Sequence, residues 1–405
     1  MDSLIKNDSL GQFLCCVLAN DPAWHRRELE SLWRKVGDDA AWEFAVHHEA
    51  EGMAAIALAR VLGEKMPARW REAHAKVATR IGCYMRELDR IAAALAAEGV
   101  RLVALKNSGI ARAVFTDLGG CPMGDVDLLV KPADFAKSHR IFVKHGFHLL
   151  GNQDVGREAL GARIGGEAAV PDDVAQIAAD MLSGGREYSL PIENGEPLWF
   201  ELQCRSVGGK WISKKSEPDS TELVNRSVAV PGTEVRILAP VDNLLQVSLH
   251  TAKHTYVRAP GFRLQTDVDR LVRHGGIDWE LFCVRVEQGE VKTAVCLSLL
   301  LPAHLMQTPV PEAVLERLGA SGWKIRLMLR WLARVGFFYP KRKKWSKLGY
   351  IVFGLLLFDG NLGRLRVVFP EREALEQRYG TQPAWSLPYW YLHRIVSLLL
   401  KRTKT

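Results

Sequence analysis

Hydrophobic and polar positions divide this chain into long stretches of helical period flanking one stretch of strand period. Between positions 8 and 99 apolar residues recur at helical spacing. Ser9 is placed to cap a first helix through Leu18, and Asp21-Pro22 opens a second toward Val36. Asp38 or Asp39 starts a third, along which Trp42, Ala45, Val46, Met53, Ile56 and Ala57 fall on one face. A fourth runs from Pro67 to Gly99, with proline in its first turn and glycine at its end. Then the period changes. Residues 102–105 (LVAL) read as a strand, a helix follows Lys106-Asn107-Ser108-Gly109, and residues 125–130 (DVDLLV) read as a second strand after a Gly/Pro turn. A helix over 133–145 and a third strand over 147–150 complete the run.

Side chains alternate along a strand, so Asp125 and Asp127 share one face and Val126 and Leu128 the other. Adjacent carboxylates repel, and neither is stable in a core without compensation. A divalent cation between them removes the conflict, and Mg²⁺ favours one or two carboxylates plus phosphate oxygens. A D-x-D pair also occurs as a solvated strand edge or turn cap, so the order of neighbouring elements separates the readings. Strand, Ser/Gly turn and helix bring Ser108, Gly109 and a helix N-terminus close to the acids. Backbone N–H groups there can hold phosphate, and Lys106 adds positive charge.

Further along, residues 151–185 carry Gly-Gly at 165–166 and 184–185 around a helix expected at 171–182, an insertion beside the site. Residues 186–192 and 198–204 form a hairpin whose turn contains Asn194-Gly195. A short hairpin from Val228 leads to a helix opened by Pro240, with Asp242 in its first turn. His250 and His254 lie four apart on one face of that helix. No Glu follows His250, which disfavours a zinc-protease reading. Lys253 is a candidate contact for phosphate. Between 262 and 300, Arg263, Asp267, Asp269, Arg270 and Arg273 are spaced for ion pairs within packed helices. The basic run 341–345 reads first as a solvated face. The aromatic, basic-tailed segment 388–402 either folds back on the helical region or lies on a membrane surface.

Composition narrows this only a little. With 405 residues, 48% of them hydrophobic, the chain can bury two or three subdomains. Its 54 Lys and Arg against 46 acids give +8, compatible with an anionic substrate, a nucleic acid or a membrane surface. Seven cysteines without a C-x-x-C spacing point to reduced thiols and a cytoplasmic setting, not to a disulfide framework or zinc site. No charged-then-apolar leader opens the chain, and no apolar run approaches the roughly 20 residues that span a bilayer.

Leu105-Lys106-Asn107-Ser108, the run 123–130 (MGDVDLLV) and Lys144-His145-Gly146-Phe147 resemble the DNA polymerase β-type nucleotidyltransferase superfamily. Within it, the chain is similar to the bacterial family of uncharacterised nucleotidyltransferases, over about residues 40–300. Asn107 stands where that family usually has Gly, and Cys121 where many members carry Arg. The resemblance implies an α+β fold: a small mixed sheet with flanking helices, embedded in larger N- and C-terminal helical regions. The expected divisions are 1–99, 100–240 with the insertion at about 151–185, and 241–405. It also implies a third carboxylate from a later strand, which matches Glu201, with Gln203 where the family more often has His.

The implied activity is transfer of a nucleoside monophosphate from an NTP, ATP being the expected donor, to an acceptor hydroxyl or similar group with release of pyrophosphate. Asp125, Asp127 and Glu201 would hold one or two Mg²⁺ ions. Lys106, Asn107, Ser108, Gly109 and Lys253 would face the triphosphate. The acceptor is a small molecule, a peptide or a protein. The moderate charge and the want of a recognisable RNA-binding module disfavour nucleic acid, while the C-terminus leaves peripheral membrane contact open. Two other classes compete: a non-catalytic interaction protein of the same fold, and a basic nucleic-acid or membrane-surface binder.

Overall fold

Acidic residues cap several of the expected helices, and at the first of them the cap is Asp8, one position before the expected Ser9. The computed structural model describes residues 5, 8–115, 117–121, 123–150, 181, 184–192, 195–207, 217–258, 261–338, 346–360, 372 and 383–400. They fall into two units. One comprises Met1–Met66, Gly209–Glu217 and Leu244–Thr405; the other comprises Pro67–Gly208 and Pro218–Asn243. The basic run 341–345, Asn194 of the expected turn, and the insertion apart from 181 and 184–185 lie outside the described residues.

In the first unit, Asp8 caps the helix Ser9–Leu18 by accepting the Gly11 N–H at 2.8 Å. Asp21 caps Pro22–Trp24, which continues through a π-helical turn, His25–Leu29, into Glu30–Val36. The third expected helix is two helices, Asp38–His47 and Glu51–Leu62. Glu49 adopts φ 51°, and the Ala50 N–H reaches back to Ala45 O at 2.8 Å, a 6→1 closure that ends the first helix. Apolar spacing continues on both sides of this break, and the left-handed position is Glu, not Gly, so the period alone hides it. Further helices span Gln265–His274, Trp279–Gln288, Lys292–Leu305, Glu312–Arg317, Trp323–Val335, Lys347–Leu356 and Leu387–Leu400. Asp359 caps Lys292–Leu305 from 66 residues away by accepting the Thr293 N–H at 2.9 Å. Among the described residues, no helix is long and apolar enough to cross a membrane.

The second unit holds the helix Ala68–Ala97 and a seven-stranded mixed sheet. Its strands are β1 (Val103–Ala104), β2 (Val126–Leu129), β3 (His148–Leu149), β4 (Gly185–Leu190), β5 (Leu198–Gln203), β6 (Val228–Ala229) and β7 (Arg236–Ile237). They are ordered β3-β4-β5-β2-β1-β7-β6. The fold class is α+β, as expected. The 186–192/198–204 hairpin is present as the antiparallel pair β4–β5, and the hairpin from Val228 as β6–β7. Tyr84, Leu88 and Ile91 from the long helix pack in one core with Phe142, Phe147, Tyr188 and Phe200. β2 is buried along its whole length, so an ionised side chain on it must find its partners inside the protein.

Candidate active site

The site begins where β1 turns into the helix Lys106–Ala113. The Leu105 N–H bonds to Asp127 O at 2.9 Å, the last tie between the two strands. Lys106 follows with φ 49°, a left-handed conformation uncommon for lysine and costing on the order of 1–3 kcal/mol. From that turn its Nζ lies 2.6 Å from Asp127 Oδ1, with both side chains buried. Ser108 is fully buried, and its Oγ reaches Leu105 O at 2.6 Å and Asp127 O at 2.9 Å. The N–H groups of Ser108 and Gly109 both point to Leu105 O, at 3.1 and 3.2 Å. A Cβ on Gly109 would stand 2.6 Å from Ala104 O, so glycine here serves the close approach of helix to strand. The Ser108 hydroxyl thus ties the turn to β2, and both amides close the turn on Leu105 O. Asn107 is half-buried beside them.

β5 brings the third acid. β2 and β5 run parallel with Asp127 directly opposite Glu201, which puts both side chains on one face. Across this pair the Glu201 carboxyl bears directly on that of Asp127. Gln203, two residues beyond Glu201 on the same face, donates from Nε2 to Asp127 Oδ1 at 3.0 Å. Asp125 precedes β2 and is half-buried, as is Glu201. Burial works against the Lys106 ammonium, but Asp127, then Glu201 and Asp125 outweigh it and hold the group protonated. All three expected acids therefore act on one lysine.

Asp127 itself is contested. Burial strips water from its carboxyl and Glu201 adds a like charge, while Lys106 pulls the other way. The outcome is a carboxyl raised to about 6. Three acids to one ammonium leave the cluster net negative. Among the described residues, no three His, Cys, Asp or Glu side chains are grouped closely enough to hold a metal ion by themselves.

Lys253 ends the helix Pro240–Lys253 and belongs to the unit that lacks the sheet. The ring of His250 on that helix and the ring of His254 just past its end meet edge-on, centroids 4.8 Å apart. Cys121 is a fully buried core residue. Sequence reasoning missed Gln203 as a donor to Asp127, although its spacing of two from Glu201 already put it on the same strand face. It also missed Tyr84, whose hydroxyl donates to Gly124 O at 2.8 Å; at helical spacing among apolar residues it gave no signal beyond that of a core aromatic.

No curated protein matches the chain. A family profile described as an uncharacterised nucleotidyltransferase matches residues 34–307, more than half of the 405. That span takes in Lys106, all three acids and Gln203, and on its strength the chain belongs to the family of uncharacterised nucleotidyltransferases, which supports a role in nucleotidyl transfer.

Proposed function

We propose that the protein transfers a nucleoside monophosphate from an NTP, with ATP the expected donor, to an acceptor hydroxyl and releases pyrophosphate in a Mg²⁺-dependent reaction. The observation that carries this reading is the pairing of Asp127 with Glu201 across β2 and β5, both acting with Asp125 on Lys106. The kinship to DNA polymerase β-type enzymes and the bacterial affinity belong to the same proposal, on the 123–130 motif.

The carboxylate oxygens suit a hard cation, and Asp125, Asp127 and Glu201 would hold it. They are not grouped closely enough to hold an ion by themselves, so phosphate oxygens of the nucleotide would have to complete its shell. When bound, Mg²⁺ would neutralise charge building on the phosphates. Lys106, at the head of its helix, adds a second positive charge toward the triphosphate, with Asn107, Ser108 and Gly109 facing it from the same turn. Lys253 is kept as a weaker triphosphate contact. Glu201, half-buried, is the acid best placed to take the acceptor proton. As that proton passes to Glu201, the acceptor oxygen bonds to the α-phosphorus. The bond from the α-phosphorus to the bridging oxygen breaks, and its electron pair leaves with pyrophosphate.

The acceptor is a small molecule, peptide or protein rather than nucleic acid. We place the protein in the cytoplasm, on the seven scattered cysteines that carry no C-x-x-C spacing. The exposed Trp385, Tyr389 and Leu392 near the C-terminal helix keep peripheral membrane contact as a separate expectation. Incubation with each α-labelled NTP and Mg²⁺ tests the reading. Labelled product or pyrophosphate is expected from the wild type and not from the Asp125→Asn/Glu201→Gln protein, and equal yields from both would overturn it. One observation favours a second reading: with Lys106 2.6 Å from Asp127, the ammonium already fills part of a cation's place. A non-catalytic relative would keep it there, and would show no Mg²⁺-dependent binding of any NTP.

A further inference from the structure

Tyr84 lies on the Ala68–Ala97 helix and is fully buried, its ring centroid 5.9 Å from that of Phe200 on β5. Its hydroxyl donates to Gly124 O at 2.8 Å and accepts the Trp199 N–H at 3.2 Å. Gly124 is the residue before Asp125, and Trp199 stands two residues before Glu201. The parallel pairing of the two strands starts only at Val126 opposite Phe200. One phenolic oxygen thus joins the strands just ahead of their first rung, beside the place where the acids leave the backbone. The Arg80 guanidinium, on the same helix, covers the ring 5.4 Å from its centroid, and its Nη2 lies 3.4 Å from the hydroxyl. Packing alone would be served by phenylalanine, since a buried hydroxyl is costly unless bonded. Here it is bonded on both sides, to the two strands that carry the acids.

We infer that Tyr84 is a positioning residue: through its hydroxyl it sets the spacing of Asp125 and Glu201 on which cation-dependent nucleotide binding depends. This rests on the proposed function. Groups that orient metal-binding carboxylates typically change metal affinity about 10- to 100-fold when removed.

The test compares wild type with Tyr84→Phe. ATP binding is measured by calorimetry across a Mg²⁺ series and in EDTA, and amide hydrogen exchange is followed at Trp199 and at Leu128. Tyr84→Phe is expected to need about 10- to 100-fold more Mg²⁺ for the same ATP affinity. Binding in EDTA should match wild type, Trp199 should exchange faster, and Leu128 should not change. An unaltered Mg²⁺ requirement would overturn the inference. So would a parallel loss of binding with and without Mg²⁺ accompanied by faster exchange throughout the core, which marks a merely structural role. Should the wild type bind no ATP in any condition, the functional reading falls and the inference with it. Faster Trp199 exchange in Tyr84→Phe would then show only that the hydroxyl joins the strands.

Discussion

Two buried aspartates, one in each unit, show how differently a protein can house the same charge. Asp269 in the helical unit is completely buried, and its carboxylate accepts from the Asn20 N–H (2.8 Å), the Thr308 hydroxyl (2.6 Å) and Arg273 Nε (2.8 Å). Arg273 goes on to Asp21 Oδ2, Met306 O and Gln307 O, so cation and anion are both embedded in donors and acceptors of the scaffold. Asp127 in the sheet unit also meets a cation and a neutral donor, but a second carboxylate, Glu201, stands opposite it. The first arrangement is complete and welds helices together. The second leaves like charges in contact, a cost tolerated where a ligand will resolve it.

The largest expected effect separates the two directly. Asp127→Ala leaves the buried Lys106 ammonium without its closest partner and Asp269→Ala removes the acceptor of three donors, so each should lose about 3–5 kcal/mol in denaturant unfolding. Only Asp127→Ala should also abolish NTP turnover; Asp269→Ala, measured on the folded fraction, should retain it. Adding Lys106→Met to Asp127→Ala removes the stranded ammonium. Most of the lost stability should return, and none of the turnover.

Glu201→Gln probes the conflict itself. Turnover should fall by about 10²- to 10⁴-fold, the usual range for a lost proton acceptor, with little change in stability because the residue is half-exposed. Its pH behaviour is more telling. With Asp127 raised to about 6, its charge is lost as pH falls through that value, and Mg²⁺-dependent ATP affinity in the wild type should weaken there. Replacing Glu201 removes one cause of the raised value, so this acid limb should move to lower pH. Stability has the opposite slope. The folded value lies above the ordinary carboxylate value of about 3.9, so the group's stabilising contribution is full below about pH 4 and lost as pH rises through about 6. The smallest effect is expected for Thr308→Val, about 1 kcal/mol by unfolding, with ATP affinity unchanged.

Much of this was legible in the sequence because it follows from short periods and strong punctuation. Asp125 and Asp127 alternate with apolar residues, and Pro240 and Pro67 mark helix starts where they fall. Glu201 was reachable only through resemblance, since its strand lies about 75 residues beyond Asp127 and nothing local fixes the register that sets them opposite each other. What stayed hidden depends on tertiary contact. Lys106 reads as a free phosphate contact until the left-handed turn brings it onto Asp127. Ser108 reads as a phosphate ligand because its hydroxyl could equally face outward; only the fold shows it turned onto Leu105 O. Tyr84 has the spacing of any core aromatic, and its bonds run to residues 40 and 115 positions away.

The most direct measurement of the contested-carboxylate claim is equilibrium binding of ATP at pH 8, with saturating Mg²⁺ and with EDTA, to wild type and to the Asp125→Asn/Glu201→Gln protein. Wild type is expected to bind strongly only with Mg²⁺, and the double variant to lose that enhancement. ATP binding that ignores Mg²⁺, or a double variant that keeps the full enhancement, would contradict it.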